Sequence, residues 1–272
     1  MHSMEKFKMT HFLAYMMKNK GSGFQFVLLG LVIAVLGSIP YFFSIIPNSF
    51  YNLYSDIMFL LLLGLILLTF TKVKRTFPSL KYFNYGILLM FIATIFRLFS
   101  DLGIIPVSLS VILIAIAYVT ILASALNIFS DVFIPKQYEN AAIATMLVIF
   151  IIALAFQFHS FYFSGIPSLQ KIYYLLIQPA DLIMMLSTIL LVIIINSKLF
   201  LKVYGWLILA FILLFISDFF GVGSRVTVLH NAWDLRDVLV FIVYLCFINF
   251  IRQHIDVNLE EFFKPAKIIH KT

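Results

Sequence analysis

The stretch DIMFLLLLGLILLTFTK, residues 56–72, decides the fold class of this chain. Between Asp56 and Lys72 lie fifteen residues without a charge, and nearly all of them are apolar. The stretch belongs to a longer apolar run, Tyr51 to Thr71, which has the length of about 20 residues that a helix needs to cross 30 Å of hydrocarbon. This run therefore predicts a membrane-spanning helix.

Seven further runs of similar length and composition occur along the 272 residues. Hydrophobic residues make up 63% of the chain and charged residues only 11%, whereas soluble domains carry about 25% charged residues. We therefore predict an all-α fold, a polytopic transmembrane bundle of eight helices. The predicted spans are Phe24 to Ile46, Tyr51 to Thr71, Tyr82 to Phe99, Ile104 to Phe129, Ala141 to Phe163, Ile172 to Asn196, Leu199 to Phe220 and Trp233 to Ile251.

The chain divides into three predicted regions. Residues 1–20 form a basic N-terminal segment, cytosolic or lying on the membrane surface. Residues 24–251 form one transmembrane domain, and its first run is too long for a signal peptide and lacks a small-residue cleavage pattern, so we expect it to be retained. Residues 252–272 form a cytosolic tail that is too short to be a catalytic domain.

The net charge of +7 follows the pattern of a membrane topology. With both termini placed in the cytosol, the predicted inner side carries fifteen Lys and Arg residues against six acids, and the outer half carries four against six. This asymmetry agrees with the positive-inside rule. We therefore predict a multi-pass integral membrane protein with both termini cytosolic, and no nucleic-acid partner.

The sequence also contains an apparent internal repeat. The stretch DLIMMLSTILLVIIINSK, residues 181–198, is similar to the opening stretch, and Asp56 and Asp181 are 125 residues apart. The same offset separates Asp131 from Asp256. Because each unit would contain four helices, the pattern favours two parallel four-helix repeats related by an axis along the membrane normal.

Several charged residues share one predicted depth in the membrane. Asp181 lies seventeen residues from the nearest predicted cytosolic Lys or Arg, and Asp56, Arg97, Asp218 and Arg236 each lie sixteen residues away. At 1.5 Å per residue, this places them roughly 6 Å below the outer edge of the hydrocarbon core. Such groups usually face a bundle interior or a water-filled cavity. We predict a ligand-binding layer of Asp56, Arg97, Asp181, Asp218, Arg236, Asp237 and His159.

Two arginines cannot pair with all four carboxylates of this layer, Asp56, Asp181, Asp218 and Asp237. The two remaining acids must then be hydrated, protonated or occupied by a cation. The alternative interpretation is that these groups make structural salt bridges at the level of the lipid headgroups.

Motifs of common enzyme classes are missing from the sequence. There is no HExxH, paired CxxC, P-loop or GxSxG serine elbow. Cys246 is the single cysteine, so an intrachain disulfide is excluded. His159 and His230 are of a type that serves as a base or ligand, but no second motif accompanies them. We predict no metal and no cofactor, and we leave catalytic residues unassigned.

Three stretches resemble the lysoplasmalogenase family, eight-helix membrane hydrolases that cleave the vinyl-ether bond of lysoplasmalogens. They are GWLILAFILLFISDFF at 205–220, YLCFINFI at 244–251 and FRLFSD at 96–101. The resemblance covers the last two helices best, and it implies acid and base roles for Asp101 and Asp218. The chain departs from the family in lacking a Ser-x-x-Gly-Asp pattern before Asp101 and a histidine in the fourth predicted span.

These observations leave three functions open. The one we favour is an outward-facing acidic cavity that binds, and in a transporter would translocate, a small polar or cationic ligand. The alternatives are a membrane hydrolase that acts on a lipid-like substrate with paired carboxylates, and an accessory subunit of a membrane complex. The expected partners are the lipid bilayer and an unidentified small ligand, and the sequence leaves room for a protein partner or a homo-oligomer.

Overall fold

A computed structural model describes residues 48–73, 78–131, 136–162, 168–195, 198–226 and 232–256, together with Gly30 and Val32. Every regular element within these residues is an α-helix, which confirms the predicted all-α class. In chain order the helices are α1 (Asn48–Phe70), α2 (Pro78–Asp101), α3 (Val107–Asp131), α4 (Lys136–Tyr162), α5 (Ser168–Ile195), α6 (Lys198–Val226) and α7 (Ala232–Asp256).

The first predicted span, Phe24 to Ile46, lies outside the described residues except for two positions. Gly30 is buried against Leu245 of α7, and a side chain added at position 30 would overlap Leu245. The predicted N-terminal segment, 1–20, and the end of the chain beyond residue 256 also lie outside the described residues. The number of eight helices therefore stays a prediction.

Three helices are long and apolar enough to cross a membrane, as judged within the described part of the chain. The qualifying stretches are Asn52–Phe70 in α1, Ser79–Asp101 in α2 and Val107–Ile128 in α3. Shorter apolar stretches occur in α4, α5 and α6. These stretches support a transmembrane protein, whereas the side of the membrane that each end faces stays a prediction from the charge pattern.

Large apolar side chains are exposed along the helices. Leu61 and Leu68 of α1 are 63% and 66% exposed, and Ile152 and Phe156 of α4 are 63% and 74% exposed. Exposed apolar surface on this scale is unusual on a soluble monomer. Apolar side chains of this kind suit contact with lipid acyl chains. A helix also satisfies its own backbone hydrogen bonds in lipid.

The helices pack in a regular order. α1, α2 and α3 contact one another in sequence, and α5, α6 and α7 do the same. The two groups are joined where α3 packs against α5 and where α1 packs against α7. α4 packs mainly against α5.

Helix α7 lies in the centre of the core. Residues 243–251 are all buried, so this helix has neighbours on every side. Phe247 meets the ring of Phe83 edge-on at 5.0 Å and that of Phe211 at 6.0 Å, and Phe250 meets Phe83 at 5.7 Å. Such edge-to-face arrangements are favourable beyond simple area burial. They fix α7 relative to α2 and α6 below the polar residues at its start.

Two glycines determine how α2 meets α3. Gly86 lies so close to α3 that an added Cβ would sit 3.2 Å from the carbonyl oxygen of Ala117. Gly103 ends α2 with φ of 75°. There the Gly103 N–H donates to the Ser100 carbonyl at 2.9 Å, and the Ile104 N–H donates to the Phe99 carbonyl at 2.9 Å. This is a Schellman cap, which reverses the chain into α3.

Candidate functional site

A cavity of about 290 Å³ lies between α1, α2, α3 and α7, with Leu214 contributed by α6. Its lining reaches from exposed Asp101 and Val107 to buried Ile121. Val107 and Ile121 are fourteen residues apart on α3, which corresponds to about 21 Å along the helix. The cavity is therefore deep and narrow, and it begins at the helix ends near the α2–α3 turn.

The lining changes from polar to apolar with depth. Near the opening, the polar side chains of Ser55, Asp56, Arg97, Asp101, Arg236 and Asp237 surround the cavity. Further in, the lining is mostly apolar and includes Phe59, Ile87, Ile114, Ile121, Leu214 and Phe247. The site can therefore hold a molecule with a charged or polar end and an apolar end.

One ion pair forms the wall between α1 and α2. The guanidinium of Arg97 donates a short hydrogen bond to Oδ1 of Asp56. Asp56 is buried, and its Oδ2 has no hydrogen-bond partner among the described residues. Arg97 also lies over the ring of Phe59, with its guanidinium carbon 5.5 Å from the ring centroid, which adds a cation–π contact. The Asp56 carboxylate therefore retains one oxygen for a further donor or cation.

A second network surrounds Asp218 and joins four helices. Arg236 of α7 donates from Nε and Nη2 to Oδ1 of Asp218 at 3.2 and 3.1 Å. Tyr118 of α3 donates to Oδ2 at 2.6 Å, and Gln178 of α5 donates to the Asp218 backbone carbonyl at 3.4 Å. Both carboxylate oxygens of Asp218 are thus satisfied in a buried position.

Asp237 follows Arg236 on α7 but contacts a different helix. Its Oδ2 accepts a hydrogen bond of 3.0 Å from the hydroxyl of Ser55 on α1. Arg97 is near enough to interact electrostatically with Asp237 as well as with Asp56. Arg236 and Asp237 therefore tie the start of α7 to both sides of the cavity.

Asp181 differs from the other acids of the site. It is fully buried in α5, and neither of its oxygens has a hydrogen-bond partner among the described residues. It interacts with the carboxyl group of Asp218 and, more weakly, with Arg236. It does not line the cavity but lies next to the Asp218 network.

The structure brings together most of the charged layer that the sequence predicts. Asp56, Arg97, Arg236 and Asp237 line the cavity, whereas Asp218 contacts it through Arg236 and Tyr118. His159 lies within α4, and its side chain is outside the described part of the structure. His230 also lies outside the described residues.

The sequence interpretation missed the roles of Tyr118 and Ser55. Tyr118 is the single tyrosine of α3, and it follows the cavity residues Ser110 and Ile114 at helical spacing. That spacing places it on the same helix face as Ser110, so a tyrosine hydroxyl on a mostly apolar face was an available signal. Asp101 entered the prediction only through the family resemblance, and it lies exposed at the opening of the cavity.

The donor set around the cavity does not resemble a metal centre. Among the residues whose positions are described, no group of three or more His, Cys, Asp or Glu side chains is arranged to hold a metal ion. The positive charges of Arg97 and Arg236 also repel a metal ion that would bind next to them. Within the described structure, the charged groups therefore form ion pairs and hydrogen bonds rather than a set of metal ligands.

Comparisons with protein-family models, with curated proteins and with solved structures find no match to this chain. The similarity to lysoplasmalogenases therefore stays an expectation from the sequence.

Proposed function

We propose that this protein binds a small polar or cationic ligand in the cavity, as a membrane receptor or transporter does. The observation that carries this proposal is the excess of acids around the cavity. Asp56, Asp101 and Asp237 line it and Asp218 lies directly behind Arg236, whereas only Arg97 and Arg236 supply positive charge among the described lining residues. A ligand with one positive group would reduce this imbalance.

The inner part of the cavity supports a ligand that also has an apolar part. The rings of Phe59, Tyr244 and Phe247 line this part. Aromatic faces attract ammonium groups as well as apolar surface. A small quaternary or primary amine with a short hydrocarbon chain therefore fits both the charge and the shape of the cavity.

The helix contacts support the duplication that the sequence indicates. In a duplicated fold, α1, α2 and α3 would correspond in order to α5, α6 and α7. The contact between α1 and α7 would then correspond to the contact between α5 and α3. Both contacts occur. Parallel repeats related by an axis along the membrane normal are found in transporters. The cavity, however, lies mainly within one half, since α5 contributes no described lining residue. We therefore place ligand binding at Asp56 and Asp237.

The test measures binding of tetramethylammonium, butylamine and trimethylbutylammonium to the purified protein in lipid nanodiscs, by calorimetry and thermal stabilisation. The neutral isostere of the last compound, 2,2-dimethylhexane, serves as the uncharged comparison. We expect the cations to bind, and we expect Asp237→Asn to lower their affinity at least tenfold. Asp256→Asn removes the same charge from the other end of α7 and should leave binding unchanged. Equal effects of the two variants, or no binding of any cation, would contradict the proposal.

A membrane hydrolase is the second candidate, and a specific observation favours it. Asp181 and Asp218 are two buried carboxyl groups in different surroundings. Asp218 accepts hydrogen bonds from Arg236 and Tyr118, whereas Asp181 has no donor among the described residues. Such an asymmetry separates the roles of general acid and general base. Mass spectrometry of lysophospholipid mixtures incubated with wild type and with Asp218→Asn tests this candidate. A product formed only by the wild type would replace the binding proposal.

A further inference from the structure

We propose that Asp181 and Asp218 form a proton-binding pair inside the bundle, which holds one exchangeable proton beside the ligand cavity. This site is distinct from the ligand cavity, because it binds a proton and lies behind the cavity wall. The pair itself does not depend on the identity of any cavity ligand.

Asp181 is buried in surroundings where no described residue donates a hydrogen bond to it. This residue is 0% exposed, and both of its carboxyl oxygens have no hydrogen-bond partner among the described residues. An ionised carboxylate without donors inside a protein or a membrane is strongly disfavoured. A protonated carboxyl is neutral and is itself a donor, so it can occupy this position beside an acceptor.

Asp218 is the acceptor that such a donor requires. Gln178, one helical turn before Asp181 on α5, donates to the Asp218 backbone carbonyl at 3.4 Å, which places this face of α5 against Asp218. The Asp218 carboxylate already receives Arg236 at 3.1 Å and Tyr118 at 2.6 Å. One negative charge on Asp218, one positive charge on Arg236 and one proton on Asp181 make a neutral group.

Among the described residues, the neighbouring helices supply no charge to Asp181 other than those of Asp218 and Arg236. The groups that face the pair are Arg236 from α7, Tyr118 from α3 and Gln178 from α5 itself. Helix α4 packs on α5, and its residues 140–156 include no charged side chain. Within the described structure, a proton is therefore the charge that remains to balance Asp181.

A metal cation would fit the same position less well. Alkali and alkaline-earth ions need about six oxygen ligands, whereas this pair offers two carboxyl groups of which one is already hydrogen-bonded. Arg236 also brings a positive charge next to the pair, which disfavours a second cation. A proton needs only one donor oxygen and one acceptor oxygen.

The pair is connected to the cavity by two residues. Tyr118 and Arg236 line the cavity, and both donate to Asp218. A cation bound in the cavity would favour ionised carboxyl groups nearby and would thus promote release of the proton. This coupling rests on the proposed function, because it needs a cationic ligand in the cavity.

Infrared spectroscopy of the full-length protein in nanodiscs at neutral pH tests the pair. We expect a carboxylic-acid C=O band that shifts in D₂O, disappears in Asp181→Asn and is retained at an altered frequency in Asp181→Glu. Asp256→Asn should leave the band unchanged. A wild-type spectrum without a protonated carboxyl band would overturn the proposal, even if the Asp181→Asn variant failed to fold. Persistence of the band in folded Asp181→Asn would overturn it as well.

Proton release on addition of tetramethylammonium, followed with a pH dye in weak buffer, tests the coupling. We expect release from the wild type and none from Asp181→Asn. Ligand binding without proton release would overturn the coupling. If no ammonium compound bound, the proposed function would fail, while the infrared result would still decide whether the proton pair exists.

Discussion

Tyr118 of α3 donates a hydrogen bond of 2.6 Å from its phenolic hydroxyl to Oδ2 of Asp218 on α6. Both side chains are buried, and they are 100 residues apart in the chain. Because the same carboxylate receives Arg236, the tyrosine holds an ion pair of the cavity wall in position. The two halves of the chain therefore meet at Asp218.

Replacement of Tyr118 by Phe should destabilise the protein by about 1–3 kcal/mol, since it removes a buried donor from a charged acceptor without changing the ring. The free energy of unfolding in mixed micelles, measured with increasing denaturant, provides the test. Tyr85→Phe is the matched control on α2, because Tyr85 is 56% exposed. Equal changes in the two variants would show that the hydrogen bond to Asp218 does not contribute to stability.

The common level of four charged residues along their helices could be predicted from the sequence, because helix rise is nearly constant. Counting from the basic residues placed Asp56, Arg97, Asp218 and Arg236 at one level, and the structure brings these four residues to the same cavity or its wall. Counting does not give the direction in which a side chain points. Counting predicts the same level for Asp181, and yet this residue is buried outside the cavity lining.

Tyr118 shows why depth alone was insufficient. It lies thirteen residues before Asp131 at the other end of α3, which corresponds to about 20 Å along the helix. Its backbone is therefore nearer to the predicted inner side than the predicted layer is. Side chains of a helix tilt toward its N-terminus, which directs this long side chain toward the Val107 end of α3. The hydroxyl thereby reaches Asp218, a contact that depends on how α3 and α6 face each other.

Gly103→Ala should cost about 1–2 kcal/mol, because φ of 75° brings Cβ close to the backbone of any L-residue other than glycine. Crowding by other parts of the protein is not the reason, since among the described residues no atom beyond the chain neighbours of Gly103 lies within 4 Å of the position that a Cβ would occupy. Thermal unfolding in nanodiscs measures the change. Gly103→Asn should be milder, because asparagine tolerates the left-handed region better. An alanine variant as stable as the wild type would contradict this account.

Gly86→Ala should destabilise the contact between α2 and α3 by about 1–3 kcal/mol. An added methyl group would overlap Ile121 and approach the backbone of α3 at 3.2 Å, and backbone cannot move as a flexible side chain does. Gly64→Ala on α1 is the matched control, because its methyl group would meet only the Phe91 ring at an ordinary 3.7 Å. Denaturant unfolding of both variants distinguishes them, and a larger loss for Gly64→Ala would refute the packing argument.

The pair of Asp56 and Arg97 should behave as a coupled unit. Asp56→Asn leaves Arg97 without its main partner, and Arg97→Gln leaves a carboxylate buried, so each single variant should lose about 3 kcal/mol. This value is at the low end for buried pairs, because the Arg97 side chain is 33% exposed. The double variant places two amides in contact and should lose less than the sum of the single changes.

A double-mutant cycle on the free energy of unfolding measures this coupling, and parallel binding of trimethylbutylammonium separates stability from function. If the pair serves only the fold, the double variant recovers stability and keeps its affinity. If Asp56 also contacts the ligand through its second carboxylate oxygen, the double variant recovers stability but remains weak in binding. We expect the second result, because Oδ2 of Asp56 has no partner among the described residues, and Asp56 lines the cavity.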